Sequence, residues 1–135
     1  MALNENPVIP GSDLLRKIEF DHMPEMVQDE PFQATALYQA FDADTEGMQQ
    51  KFMYFRFEIE GDASKVQYDI HGLPSVELSD RIGGKCYSLC VFNDPDILQK
   101  VQPGDHVVIS GNYLTASSTW GVVLKNSALM KVIKA

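Results

Sequence analysis

Cysteine, tryptophan and histidine are all scarce in this chain, with two, one and three residues among 135. Each scarcity removes a class of protein. Cys86 and Cys90 lie four residues apart in a segment that reads as a strand, so about 13 Å separates them along one face. A disulfide needs Cα atoms within about 7 Å, and both residues are expected to be small buried thiols. His22, His71 and His106 are scattered without metal-ligand spacing. Neither a glycine-rich phosphate loop nor a nucleophile elbow occurs. Asp42, Asp44 and Glu46 alternate, but the glycine and glutamate that would complete a calcium loop do not follow. No metal, no cofactor and no catalytic residue is expected.

Long apolar runs are also missing. No stretch of about eighteen apolar residues occurs, and Met1-Ala2-Leu3-Asn4-Glu5-Asn6-Pro7 has no basic patch ahead of an apolar block. Membrane spanning and export are not expected, and a cytoplasmic location is. Positive charge is short in one region only. Residues 1–46 hold ten acids and two bases, Arg16 and Lys17, whereas residues 47–135 hold nine of each. The net charge of −8 therefore belongs to the front third. Proteins that grip phosphates do so through clustered Lys and Arg, so an acidic arm on a neutral body argues against strong non-specific affinity for nucleic acid.

What is present describes one ordinary folding unit, with 44% hydrophobic and 22% charged residues and enough length to bury a core unaided. Residues 1–31 form an acidic arm punctuated by Pro7, Pro10, Pro24 and Pro31. Ser12 caps a short predicted helix over 13–18 whose stripe of Leu14, Leu15 and Ile18 must dock on the barrel or on another chain. Over 32–50 the pattern is helical, with Leu37, Phe41, Met48 and Phe52 recurring near a period of 3.6 and Gly47 interrupting or ending it. The period then changes to two. Met53, Phe55, Phe57 and Ile59 alternate with polar residues in a predicted strand that bends at Gly61 and continues to Ile70.

His71-Gly72-Leu73-Pro74 reads as a turn, followed by a strand through Val76 and Leu78. A third strand spans Lys85 to Phe92 with both faces apolar: Tyr87, Leu89 and Val91 on one, Cys86, Ser88, Cys90 and Phe92 on the other. Asn93 or Asp94 caps a short helix carrying Ile97, Leu98 and Val101. Pro103-Gly104-Asp105 turns the chain into a strand through Val107, Ile109, Gly111 and Tyr113, and a polar loop ending at Trp120-Gly121 leads into the closing strand.

One long strand after a helix, two more strands, a short capped helix and a final strand pair is the layout of a five-stranded OB-fold Greek-key barrel. The matching residues are Gly61 in the first strand, Gly72-Leu73-Pro74-Ser75-Val76-Glu77-Leu78, and Cys90-Val91-Phe92. Gly104-Asp105, Val107 to Gly111, and Gly121 with Leu124 and Asn126 follow in order. Over residues 36–130 the chain resembles the tRNA_anti-like family, related to the anticodon-binding OB domains. That resemblance implies an OB-fold domain over 32–135, a role in nucleic-acid binding, and no catalytic residue.

OB barrels bind ligands across strands two and three and between the loops joining strands one to two and four to five. The ligand-binding residues expected there are Arg56, His71, Arg81, Lys85, Tyr87, Trp120 and Lys125. Trp120 is either a stacking platform for a base or a lid folded back over the barrel mouth. Leu14, Leu15, Ile18, Tyr87, Leu89 and Val91 are expected to form an interface. Two readings remain open. One is a non-catalytic module for single-stranded nucleic acid or a similar ligand. The other is a protein-interaction module that engages a partner protein or a second copy of the chain, even as a nucleic-acid mimic or inhibitor.

Overall fold

A computed structural model describes residues 23–135. The elements, in order, are β1 (Phe32–Gln33), α1 (Ala34–Ala43), α2 (Thr45–Phe52), β2 (Arg56–Tyr68), β3 (Pro74–Ser79), β4 (Ser88–Val91), α3 (Ile97–Lys100), β5 (His106–Ser117) and β6 (Gly121–Ile133). The strands lie in the order β1-β2-β3-β4-β6-β5, and β5 pairs back onto β2. Five strands therefore close into a barrel and β1 is an extra strand beside it. Closure leaves the barrel strands without the free edges that invite aggregation. The connection from β4 to β6 is parallel, with Ser88 opposite Val122 and Cys90 opposite Leu124, while the remaining barrel pairs are antiparallel.

Period-two patterning accounts for the inside of the barrel. Phe57, Ile59, Val76, Leu78, Cys90, Val107, Ile109, Val122 and Leu124 belong to one buried cluster. Gly111 marks a close approach of β5 and β6, since a Cβ there would lie 2.8 Å from Leu124 Cβ and 2.9 Å from Ser127 Oγ. The helical segments close the barrel with Ala34, Leu37, Phe41 and Phe52. Edge-on aromatic contacts join Phe52 to Phe57 at 5.0 Å and Phe32 to Phe52 at 5.6 Å, and Phe41 stacks on Tyr113 at 5.7 Å. Such pairs add about 0.5–1.5 kcal/mol each beyond the area they bury.

Several sequence expectations are corrected. The helix expected over 32–50 is two helices, because Asp44 leaves the helical region (φ −152°, ψ 76°) and its carboxylate then accepts from the Gly47 N–H at 3.1 Å, starting α2. Gly47 sits inside α2 and ends nothing. Met53 and Phe55 precede β2 rather than belonging to it, since Tyr54 takes φ 72° and turns the chain. Ile70 lies past the end of β2 and is 80% exposed. The third barrel strand is confined to Ser88–Val91. The loop after β5 is shorter than expected, because pairing with β6 persists to Ser117.

The Pro24 carbonyl accepts from the Arg56 N–H at 2.8 Å, and the Met26 N–H donates to the Arg56 carbonyl at 2.7 Å. Residues 24–26 thus run along the start of β2, and the Gln28 side chain bonds the backbone of Glu58 in both directions. Leu14, Leu15 and Ile18 lie outside the described residues.

Candidate functional site

The β2–β3 turn is held by one side chain. Asp69 Oδ1 accepts from the backbone N–H of His71 at 2.8 Å and of Leu73 at 2.9 Å, while Gly72 supplies a positive φ of 79°. This is the Asx geometry that short carboxylates favour in turns. The turn stands beside the short β5–β6 loop, where Trp120 donates its backbone N–H to Ser117 Oγ at 3.0 Å and accepts the Cys86 thiol at its carbonyl. Gly121 follows with φ 71°, and any Cβ there would be driven into the Tyr87 carbonyl. Only glycine permits this approach.

Between the two loops the outer wall of the barrel is apolar. Leu89, Val91 and Val123, with Cys86, form a second buried cluster outside the barrel interior, with Leu73 and Trp120 packed against it. All of these but Cys86 belong to the floor and walls of an open groove of about 430 Å³ that also takes in Leu114, Thr115, His71 and Lys125. Exposed apolar side chains stand at its rim, Ile70 at 80% and Leu114 at 46%. Adjoining it, and sharing Asp69, Ile70, Leu89 and Trp120 with it, a recess of about 150 Å³ is also bounded by Gln67, Tyr68, Ser75 and Glu77. An open apolar hollow with a few polar groups is the usual form of a ligand site.

Of the residues expected to bind ligand, the structure gathers His71, Trp120 and Lys125 in this groove. Trp120 packs on the cluster of Leu89, Val91 and Val123 and also lines the groove, so it is a wall of the site. Arg81 is exposed elsewhere, 4.0 Å from Asp80. Lys85 donates to the Ser118 carbonyl at 2.9 Å and lies 5.0 Å over the Tyr38 ring. Arg56 is bound internally, to Asn112 Oδ1 at 3.1 Å and the Asn126 carbonyl at 2.9 Å.

The expected interface stripe is divided. Leu89 and Val91 are buried at 7% and 5% exposure in the groove floor, whereas Tyr87 leaves their face and packs on Tyr38 at 5.3 Å. The cause is the irregular segment before β4, which breaks the alternation that the sequence suggested.

Sequence reasoning missed Leu114, Val123 and Glu77 as site residues. The outward side of a strand bears no mark of being covered, so their shared face emerges only when β4 meets β6. It also missed a cluster midway along β2. His106 Nδ1 lies 2.8 Å from Asp62 Oδ1 and its Nε2 lies 2.7 Å from Glu60 Oε2. The hydrogen bond with Glu60, then that with Asp62, holds the imidazole pKa above its ordinary value. Among the described residues no three His, Cys, Asp or Glu side chains are placed to hold a metal ion, and no helix is long and apolar enough to cross a membrane.

No family model matches this chain and no curated protein matches it. Among solved structures, the chain is similar to a protein from Klebsiella pneumoniae subsp. pneumoniae MGH 78578 described as a putative nucleic acid-binding lipoprotein. The match covers 91% of this chain and 100% of that one, with a TM-score of 0.59 and 14% identity. At that identity the likeness is one of fold. Fold and groove together define the class: a mainly β protein whose closed five-stranded barrel carries a ligand-sized hollow on its outer wall.

Proposed function

We propose that this chain is a non-catalytic, cytoplasmic OB-fold binding module of the tRNA_anti-like kind, and that a short single-stranded nucleic acid lies in the groove between the β2–β3 turn and the β5–β6 loop. The connectivity supports the fold. β2, β3, β4, β5 and β6 take the parts of OB strands one to five, and α3 falls between the third and fourth. The observation that carries the function is position: the groove with Trp120 in its wall lies between the two loops that flank ligands in such barrels. The nucleic-acid description of the Klebsiella neighbour agrees with this reading.

Affinity on this reading comes from bases rather than phosphates. Stacking on an aromatic ring is worth about 1–3 kcal/mol per base, and the groove offers Trp120 for it. Of the expected basic residues only His71 and Lys125 line the groove. Neutralising about one phosphate gives a salt slope near −0.7 for a single strand, shallow beside that of a basic binding protein. Fluorescence of Trp120, the single tryptophan, tests this directly. Short single-stranded oligonucleotides should quench or shift it at low salt, with that shallow slope, whereas unchanged emission across sequences would remove the nucleic-acid reading.

A second reading, a protein-interaction module, draws on the composition of the same groove. Leu73, Leu89, Val91, Leu114 and Val123 also suit an apolar segment of a partner protein. A partner that binds through this surface would be lost on Leu114→Asp, and light scattering of the chain with and without residues 1–31 tests self-association through the arm.

A further inference from the structure

Two carboxylates are buried among the described residues, Asp105 at 2% and Glu77 at 8% exposure. Asp105 is occupied. It accepts from the backbone N–H of Gln102 at 2.9 Å and of Ala135 at 3.1 Å, and from Lys134 Nζ at 2.9 Å. Glu77 is placed differently. It lies opposite Leu89 in the β3–β4 pair and lines the recess beside Trp120, whose other carboxylate, Asp69, already accepts from the His71 and Leu73 N–H groups.

The Cys86 thiol lies beside Glu77 but donates to the Trp120 carbonyl at 3.2 Å. A carboxyl group accepts hydrogen bonds at both of its oxygens, so acceptor capacity is left at the wall of the recess. Burying a charge is costly unless donors meet it. An apolar residue in its place would extend the Leu89 and Val123 surface at no such cost. A buried carboxylate with acceptor capacity, next to an aromatic wall, is suited to reading hydrogen-bond donors on a planar ligand.

We infer that Glu77 selects guanine in the recess beside Trp120; this rests on the nucleic-acid reading above. Guanine presents two adjacent donors on its pairing edge, N1–H and the N2 amino group, and a carboxylate accepts such a pair in parallel. Thymine presents one N–H between two carbonyl oxygens, which a carboxylate repels. Adenine and cytosine present one amino group beside an acceptor nitrogen. The recess, about 150 Å³, is of the order of a cavity that holds one benzene ring. It therefore admits the pairing edge of a single base, leaving the rest against Trp120.

The test uses the full chain, Trp120 emission and three oligonucleotides at low salt: d(TTTTGTTTT), d(TTTTITTTT) with inosine, and d(TTTTTTTTT). The guanine strand should bind at least about fivefold tighter than the thymine strand, the lower end of what one bidentate base contact supplies. Inosine lacks the N2 amino group and should fall between. Glu77→Gln, shown folded by circular dichroism, should bring the guanine-to-thymine ratio to about one. Equal affinities for the three strands would overturn the role of Glu77 and leave the groove as a sequence-tolerant site. A guanine preference that survives Glu77→Gln would place the reader elsewhere. Emission unmoved by every strand would overturn the nucleic-acid reading and this inference with it. If the variant does not fold, equal affinities of the three strands for the unaltered protein would still overturn the inference.

Discussion

His106 on β5 and Glu60 on β2 meet across the strand pair that closes the barrel, imidazole Nε2 to carboxylate at 2.7 Å. Asp62 holds the other ring nitrogen at 2.8 Å. Because these hydrogen bonds raise the His106 pKa in the folded state, the folded protein holds the proton more tightly than the unfolded chain does. Its contribution to stability is complete below the unfolded value, about pH 6.5, and is lost as pH rises through the higher folded value. The ring is 37% exposed, so water screens the pair and the effect should stay below about 1 kcal/mol. Urea midpoints should fall between about pH 6 and about pH 8.5, and His106→Gln should flatten that fall. A midpoint that rises over this interval in the unaltered protein would contradict the arrangement.

Two positive-φ glycines make a matched comparison. At Gly72 (φ 79°) a methyl group would have nothing within 4 Å, whereas a methyl at Gly121 would be forced into the Tyr87 carbonyl, 3.0 Å from the Tyr87 Cα. Gly72→Ala should therefore cost only the left-handed backbone strain, about 1–2 kcal/mol. Gly121→Ala adds a backbone clash and should cost about 4 kcal/mol or more, in the range reserved for identifiable structural faults. Thermal melts of the two variants should separate widely, and equal losses would show that β4 and β6 do not approach as described.

The thiols should be silent in the folded protein. Cys90 is fully buried and burial pushes its pKa up to about 12. Burial, followed by the nearby Glu77 charge, raises that of Cys86 as well. At about pH 8 the thiolate fraction of such a group is roughly a thousandfold below that of an exposed cysteine. Ellman's reagent should label neither residue in buffer on the time scale at which it labels both in urea. Prompt labelling of one thiol without denaturant would mean that the groove floor opens.

Arg56 should be a structural residue. Its guanidinium joins β2 to Asn112 on β5 and to the Asn126 carbonyl on β6, where Asn126 holds φ 50°. Charge-assisted hydrogen bonds of this kind are worth about 1.5–3 kcal/mol. Arg56→Met should lower unfolding free energy by about that amount while leaving oligonucleotide affinity unchanged within about twofold, compared by urea melts and Trp120 titration. A loss of affinity without a loss of stability would return Arg56 to the ligand site.

Much of the barrel was legible because strand periodicity records which side of a residue is buried. Phe57, Ile59, Val76, Leu78, Val107 and Ile109 fall inside as the alternation indicated. The breaks were harder to read. Asp44 ends one helix and starts the next by a side-chain cap, and Tyr54 turns the chain before β2 through a rare backbone conformation. Both are local events that an apolar period passes over. The site was legible at its loops, where His71 and Trp120 stand beside turn residues, but not at its floor. Leu89 and Val91 stood out as an apolar strand face, but Val123 read as an ordinary strand residue until β4 and β6 lie side by side.

Composition, alternation and turn residues by themselves determined that this chain builds a small mainly β unit with an acidic front third, because burial patterns and backbone preferences act over a few residues. Tertiary structure alone decided which outward faces become one surface. The parallel β4–β6 pairing aligns residues more than thirty positions apart, such as Leu89 with Val123. Closure of β5 onto β2 likewise brings His106 to Glu60 and Asp62. Such contacts depend on strand register between distant segments, and register is set by the packing of the whole core rather than by any stretch within it.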